Sequence, residues 1–217
     1  MISVLQLPTG FPRVPGDVGC AETFLDPPQV IQVAVEASSG AQDPTTLDIR
    51  PFEHALSRAE GDVIATSCGF LAYWQAQLAR QTPRPFVASA LIALDHLASN
   101  HAPEHVAILT LDATKVGPAH LRGHTQFASH IHGLQPFGHL RCAIQNDAPR
   151  LDTAQARAEV LALAHTAITP KTRAIVLECA NLPPYKSALR EAFDLPIYDI
   201  LTEIEARAPG TVRPAHL

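Results

Sequence analysis

The sequence predicts an α/β fold built on a parallel sheet. Short apolar runs rich in β-branched residues alternate with stretches of helical composition about ten residues long, the pattern of βαβ units. Those runs are nearly continuous in apolar residues rather than alternating, as strands covered on both faces are. With 217 residues, 47% of them hydrophobic and 17% charged, the chain can bury a sizeable core.

In chain order, the first strand is expected over 2–7, Ile-Ser-Val-Leu-Gln-Leu, and stops at Pro8-Thr9-Gly10. Residues 11–29 carry Phe-Pro-Arg-Val-Pro-Gly-Asp-Val-Gly and read as a long ordered loop, a feature that is usually functional or disordered. Further strands are expected over 30–35, 62–67, 85–90, 105–111, 173–178 and 196–200. Helices are expected over 52–59, 69–80, 91–100, 118–125, 153–166 and 183–193. The stretch 129–152 holds Gly133, Pro136, Gly138 and Pro149 and is read as irregular, with a short strand near 139–144. No low-complexity segment or Gly/Ser linker interrupts the chain.

Composition excludes several function classes. No apolar run approaches the ~20 residues of a membrane helix, so no membrane partner is expected. The N-terminus lacks a basic n-region and a long enough apolar stretch for a signal peptide, which makes the cytoplasm the expected location. Net charge is −5 and no basic stripe marks a nucleic-acid surface, whereas a small anionic substrate stays open. The cysteines at 20, 68, 142 and 179 form no Cys-x-x-Cys pair and no disulfide framework is expected. Among 11 histidines, His120 and His124 have i, i+4 spacing without a Glu-bearing zinc motif, and His130, His132 and His139 lack nearby acidic partners. No metal site is expected, and nucleotide-binding glycine patterns are absent.

Two segments share one plan. Asp62-Val-Ile-Ala-Thr-Ser-Cys68-Gly-Phe and Arg173-Ala-Ile-Val-Leu-Glu-Cys179-Ala-Asn-Leu-Pro-Pro are each an apolar strand, a cysteine and a helix start. The carboxyl ends of parallel strands are where ligands bind. Helix N–H groups and the macrodipole are expected to lower both thiol pKa values from about 8.5 towards neutrality. Asn181 before Pro183 and Pro184 reads as an N-cap followed by first-turn prolines. A single strand-end cysteine is more often a small buried hydrophobe; two at the same junction of two halves are harder to read that way. Cys20 and Cys142 have no such context.

Thr-Ser-Cys68-Gly and Leu-Glu-Cys179-Ala-Asn-Leu-Pro resemble the two catalytic-cysteine segments of the aspartate/glutamate racemase superfamily. Phe-Pro-Arg-Val-Pro-Gly-Asp resembles the loop after the first strand in one branch of it. The resemblance implies two similar lobes with parallel-rich sheets flanked by helices and a cleft between them. One lobe is expected from 1–90 plus a C-terminal segment of about 195–217, the other from 91–194. It implies a cofactor-independent racemase or epimerase of a small carboxylate-bearing substrate, such as an amino acid, with no pyridoxal phosphate and no metal. Dimers are common in the superfamily, although nothing in the sequence marks an interface.

Inverting a stereocentre needs a base on one face and an acid on the other, and Cys68 and Cys179 would be that pair. The carbanion would draw on backbone N–H groups at the two helix starts, at Gly69 and Ala180. Thr66, Ser67 and Asn181 are close enough in sequence to bind a carboxylate or amino group. Arg13 could grip a carboxylate and Asp17 an amino group, or both could belong to a turn around Gly16. Thr110 points to the strand-end face, and Asp112 reads as an N-cap. Glu178 would tune Cys179 or orient a neighbour, although strand alternation points it to the opposite face.

Racemases of the superfamily commonly carry Asn-Thr after the first cysteine and Thr with His or Glu after the second. Here Gly69-Phe70 and Ala180-Asn181 stand in those places. A decarboxylase, a cis–trans isomerase and a non-catalytic small-molecule binder are the alternatives, and a cysteine hydrolase is a weaker one.

Overall fold

The computed structural model describes residues 1–35 and 43–217. Two four-stranded parallel sheets follow one another along the chain. The first uses β1 (Ile2–Gln6), β2 (Gln29–Gln32), β3 (Val63–Thr66) and β4 (Phe86–Val87), in the order β2-β1-β3-β4. The second uses β5 (Val106–Thr110), β6 (Ile131–Gly133), β7 (Ala174–Leu177) and β8 (Ile197–Tyr198), in the order β6-β5-β7-β8. The two orders are the same when each sheet is numbered from its own first strand. In both, the chain reverses direction across the sheet between the first and third strands, the switch point where open α/β sheets form their binding crevice. The central strands β1, β3, β5 and β7 are buried along their whole length, which their unbroken apolar runs require.

Helices cover the sheets: α1 (Arg50–Leu56), α2 (Gln75–Ala79), α3 (Leu94–Asn100), α4 (His139–Gln145), α5 (Thr153–Ala167), α6 (Lys186–Ala192) and α7 (Ile200–Arg207). Three expected helices begin as 3-10 turns, at Gly69–Trp74, Ala90–Ala93 and Pro183–Tyr185, before their α-helical parts. The expected helix over 118–125 is instead a series of turns, because Arg122 and Gly123 take positive φ values of 51° and 92°. The expected strand near 139–144 is helix α4. Leu140 and Ala143 bury one face of it, and Glu159 of α5 accepts from the free N–H groups of His139 and Leu140 at 2.6 and 2.9 Å. β6 and α7 went unrecognised in the sequence. The first is three residues long, and the second is signalled chiefly by its cap, Asp199, in a reciprocal capping box with Thr202.

The C-terminal helix α7 returns to the first sheet, where Ile200, Leu201 and Ile204 pack with Ile2, Val4, Val63 and Val87. β8 pairs with β7, and α7 follows it directly. Residues 90–97 pack on the second sheet through Leu91, Leu94 and Leu97 against Val106, Ile108 and Val176. Loop 9–20 also reaches the second lobe. Asp147 accepts from the N–H groups of Gly10 and Phe11 at 2.6 and 2.9 Å, and Gly16 lies so close to Pro184 that a Cβ there would meet its Cα at 2.7 Å.

A buried ion pair joins α6, the start of α7 and the C-terminus. Lys186 Nζ lies 2.7 Å from Asp199 and donates to the His216 carbonyl at 2.7 Å; Lys186 is 2% and Asp199 0% exposed. Removing one partner of such a pair leaves an uncompensated charge, at a cost of roughly 3–5 kcal/mol. Asp199→Ala is therefore expected to destabilise the chain by about that amount in urea unfolding. A loss under about 1 kcal/mol would mean that the ammonium is not held by Asp199.

Candidate functional site

The two cysteines occupy the same place in the two lobes. Cys68 and Cys179 each stand two residues beyond the end of the third strand of their sheet, Thr66 in β3 and Leu177 in β7. A short 3-10 turn follows each, starting at Gly69 and Pro183. Thr66 shapes the first exit: its hydroxyl donates to Ala88 O at 2.8 Å and accepts from Cys68 N at 3.2 Å. Ser67 Oγ accepts from Leu7 N at 3.0 Å, fastening the exit of β1 to that of β3. Both hydroxyls hold the backbone of the strand exits.

The two cysteine segments meet across the lobes. A Cβ built on Gly69 would lie 2.2 Å from Glu178 Oε1 and 2.9 Å from the Glu178 carbonyl oxygen, so only glycine fits there. Glu178 is 3% exposed, and its carboxylate accepts from Thr110 Oγ1 at 2.6 Å. The strand-alternation reading of Glu178 is corrected here. β7 ends at Leu177, so alternation no longer governs the next side chain, which lies against the Cys68 segment. Thr110 serves this carboxylate. Asp112 accepts from Thr114 N, as a cap does, and pairs with Arg141.

On the other side of Cys179 runs a polar chain. Its thiol donates to Asn181 Oδ1 at 3.6 Å, and Asn181 Nδ2 donates to Asp17 at 2.6 Å. Asp17 also accepts from Arg13 at 3.0 Å and from Gly19 N at 2.7 Å. Arg13 further donates to Thr9 and stacks over Phe11 with its guanidinium carbon 4.5 Å from the ring centroid. Arg13 and Asp17 thus hold each other, and neither offers a free charge to a substrate. Asn181 is not a helix cap; the turn starts from Leu182, and the Asn181 side chain serves the polar chain. Ala180 is buried in the core shared with α7. A small cleft adjoins this chain, lined by Phe11, Val14, Asp17, Leu140, Asn181 and Tyr185.

The electrostatics reverse one expectation. Burial pushes the Cys68 thiol up to about 12, and the negative charge of Glu178 adds to it against the N–H groups of Phe70 and Leu71. Burial, then Glu178, push Cys179 to about 12 as well, with Asp17 raising and Asn181 N–H and Arg13 lowering it. The turns that follow the cysteines are too short and too buried for their N–H groups to overcome desolvation. Burial also raises Glu178 to about 7, opposed by the Thr110 hydrogen bond. Near neutral pH the site therefore holds two thiols and a carboxyl group in mid-titration. Glu178 is the residue whose place in the site the sequence pattern misread; its signal was a lone acid closing an apolar strand beside a cysteine.

His120 is fully buried, accepts from Gly117 N at 2.9 Å and meets Phe70 edge-on at 5.1 Å. Among the described residues, no three His, Cys, Asp or Glu side chains converge as a metal cluster, and no helix is long and apolar enough to cross a membrane.

The chain is similar to known proteins in sequence and in fold. Dimethylsulfoniopropionate lyase 5 of Emiliania huxleyi is 30% identical over 99% of this chain, and the chain spans 46% of that protein. Dimethylsulfoniopropionate lyase of Durusdinium is 27% identical over 97% of this chain and 75% of its own length. In fold, the chain resembles glutamate racemase from Bacillus anthracis, with a TM-score of 0.58 at 14% identity, over 94% of this chain and 78% of the other. It also resembles unliganded arylmalonate decarboxylase, with a TM-score of 0.53 at 15% identity, over 98% and 95% of the two chains. The Asp/Glu/hydantoin racemase family model matches residues 21–205, and the chain belongs to that family.

Proposed function

We propose that this protein removes the proton α to the carboxylate of a small substrate, with Cys68 and Cys179 as the acid–base groups, and that it acts as a lyase on a β-sulfonio carboxylate. The observation that carries the reading is the equivalent placement of the two cysteines at the switch points of two like sheets, with their segments in contact through Gly69 and Glu178.

The charge of the site supports elimination over racemisation. Its titratable groups are acids: Cys68, Cys179, Glu178 and Asp17, while Arg13 is already engaged by Asp17. A carbanion beside a carboxylate would be poorly supported there. A substrate with its own positive charge avoids that problem. As the Cα–H bond breaks, its electron pair forms the Cα=Cβ bond and the Cβ–S bond cleaves. A neutral sulfide and an unsaturated carboxylate leave, and the base keeps the proton. Negative charge never accumulates on carbon. The likeness of nearly the whole chain to the two lyases supports the same substrate class.

Racemisation or epimerisation is the second reading, and the presence of both thiols favours it. Elimination of a neutral sulfide needs one base, whereas inversion needs both groups. The location expected for such an enzyme is the cytoplasm, and a homodimer is the assembly that the family resemblance suggests.

Incubated with dimethylsulfoniopropionate, the protein is expected to release dimethyl sulfide and acrylate, measured by gas chromatography and NMR. Cys68→Ser or Cys179→Ser should lower the rate by about 10²–10⁴-fold in at least one case. Unchanged release in both variants would remove the thiols from the mechanism. In heavy water, amino acids and hydantoins are expected to acquire no α-deuterium. Exchange that disappears in both serine variants would instead establish racemisation.

A further inference from the structure

The Cys179 thiol has a partner whose orientation is dictated from the other lobe. Its Sγ donates to Asn181 Oδ1 at 3.6 Å, and the same amide donates through Nδ2 to Asp17 Oδ2 at 2.6 Å. An amide can turn either end to a neighbour, the oxygen accepting and the nitrogen donating. Asp17 removes that choice. Its oxygens take Arg13 Nη1 at 3.0 and 3.2 Å and the Gly19 N–H at 2.7 Å, so each of these side-chain bonds is an accepted one. Only an N–H can point at such a carboxylate, which leaves the amide oxygen for the sulfur.

We propose that Asn181, locked in this orientation by Asp17, is a positioning residue that holds Cys179 as the proton-bearing thiol of the pair. This rests on the reading of Cys68 and Cys179 as the acid–base pair. A carbonyl oxygen stabilises an S–H that donates to it and opposes a thiolate in the same place. Cys68, at the equivalent strand exit, meets the N–H groups of Phe70 and Leu71, which favour its ionised form. Cys179 meets one N–H, that of Asn181, beside the enforced acceptor. Two like exits thus carry unlike partners.

The lock is itself held. Asp17 is 2% exposed. Thr23 Oγ1 donates to the Asp17 carbonyl at 2.7 Å and accepts from Gly16 N at 2.9 Å, which fixes the loop on both sides of the carboxylate.

Other charged and titratable groups face Cys179 too. Glu178 precedes it in the chain and Asp17 stands beyond Asn181, both raising the thiol, whereas Arg13 lowers it. Tyr185, after the turn, is buried, and its hydroxyl is pushed up to about 12 by burial and by Asp17, so it is neutral near pH 7. These charges act whichever way the amide is turned. The contact that Asp17 controls is the amide oxygen on the sulfur.

The test needs no substrate. In the infrared spectrum of the intact protein, the S–H stretch assigned to Cys179 by difference against Cys179→Ser is expected at the lowered frequency of a donating thiol. In Asn181→Leu, which removes the acceptor at similar size, it should move up to the free value. Cys179 is partly exposed, so iodoacetamide labelling with peptide mass spectrometry follows its thiolate. At pH 8, Asn181→Leu should label Cys179 about 2–10-fold faster than the wild type. Asp17→Asn, which frees the amide to turn its N–H to the sulfur, should also speed labelling. That gain should be smaller when Asn181→Leu is already present, because only the lost charge then remains.

An S–H band unmoved in Asn181→Leu, or labelling no faster than in the wild type, overturns the proposal. So does an equal effect of Asp17→Asn in both backgrounds, which charge alone would produce. If Asp17→Asn does not fold, the Asn181→Leu band and labelling decide. The expected band and labelling in a wild type without lyase or exchange activity would sink the proposed function and leave the Asp17–Asn181 lock standing.

Discussion

The close approach of Gly69 to Glu178 is the constraint on which the rest of the site depends. It brings the exit of β3 in one lobe against the exit of β7 in the other, with no space for even a methyl group between them. Everything chemical follows from that approach. The segments that carry the two cysteines are brought together, with the buried Glu178 carboxyl against Gly69. The contact also accounts for a glycine after the first cysteine, where racemases of the superfamily commonly carry a side chain.

Burial has opposite consequences for the parts of this site. It protects a reactive intermediate and strengthens each charge–charge interaction. It also penalises the ionised form of each thiol. Burial raises the Glu178 carboxyl as well, to about 7, against the Thr110 hydrogen bond. The Arg13–Asp17–Asn181 chain acts at longer range. It ties loop 9–20 of the first lobe to Cys179 of the second and keeps the orientation of Asn181 beside the sulfur. The Asp147 clamp on Gly10 and Phe11 closes the same loop from the far side.

The repeat of strand order explains why one chemical plan appears twice. Each lobe has a central first strand, a third strand beside it and a cysteine two residues past that strand's end. Two such lobes place one thiol beyond the exit of each third strand, and the approach of Gly69 to Glu178 brings the two segments together. The residues around the thiols then diverge, as Ser67 and Glu178, or Gly69 and Ala180, illustrate. The lobes are alike in topology and unlike in the residues around their cysteines.

Much of this was legible in the sequence itself. Continuous apolar runs marked β1, β3, β5 and β7, because a strand buried on both faces needs no polar alternation. The same runs placed Cys68 and Cys179 at strand exits. Short or capped elements were not legible: Ile131–Gly133 pairs only because β5 offers it an edge, and His139–Gln145 is helical because Glu159, twenty residues on, satisfies its first N–H groups. The ionisation of the site was also beyond the sequence. Local reasoning from helix starts predicted lowered thiol pKa values, whereas desolvation depends on the whole packed neighbourhood. The sequence by itself determined the α/β class and the place of Cys68 and Cys179 beyond two strand exits, since both are written in local pattern. Only the tertiary structure decided that Glu178 stands with the thiols and that Arg13 and Asp17 neutralise each other, because those contacts join segments far apart along the chain.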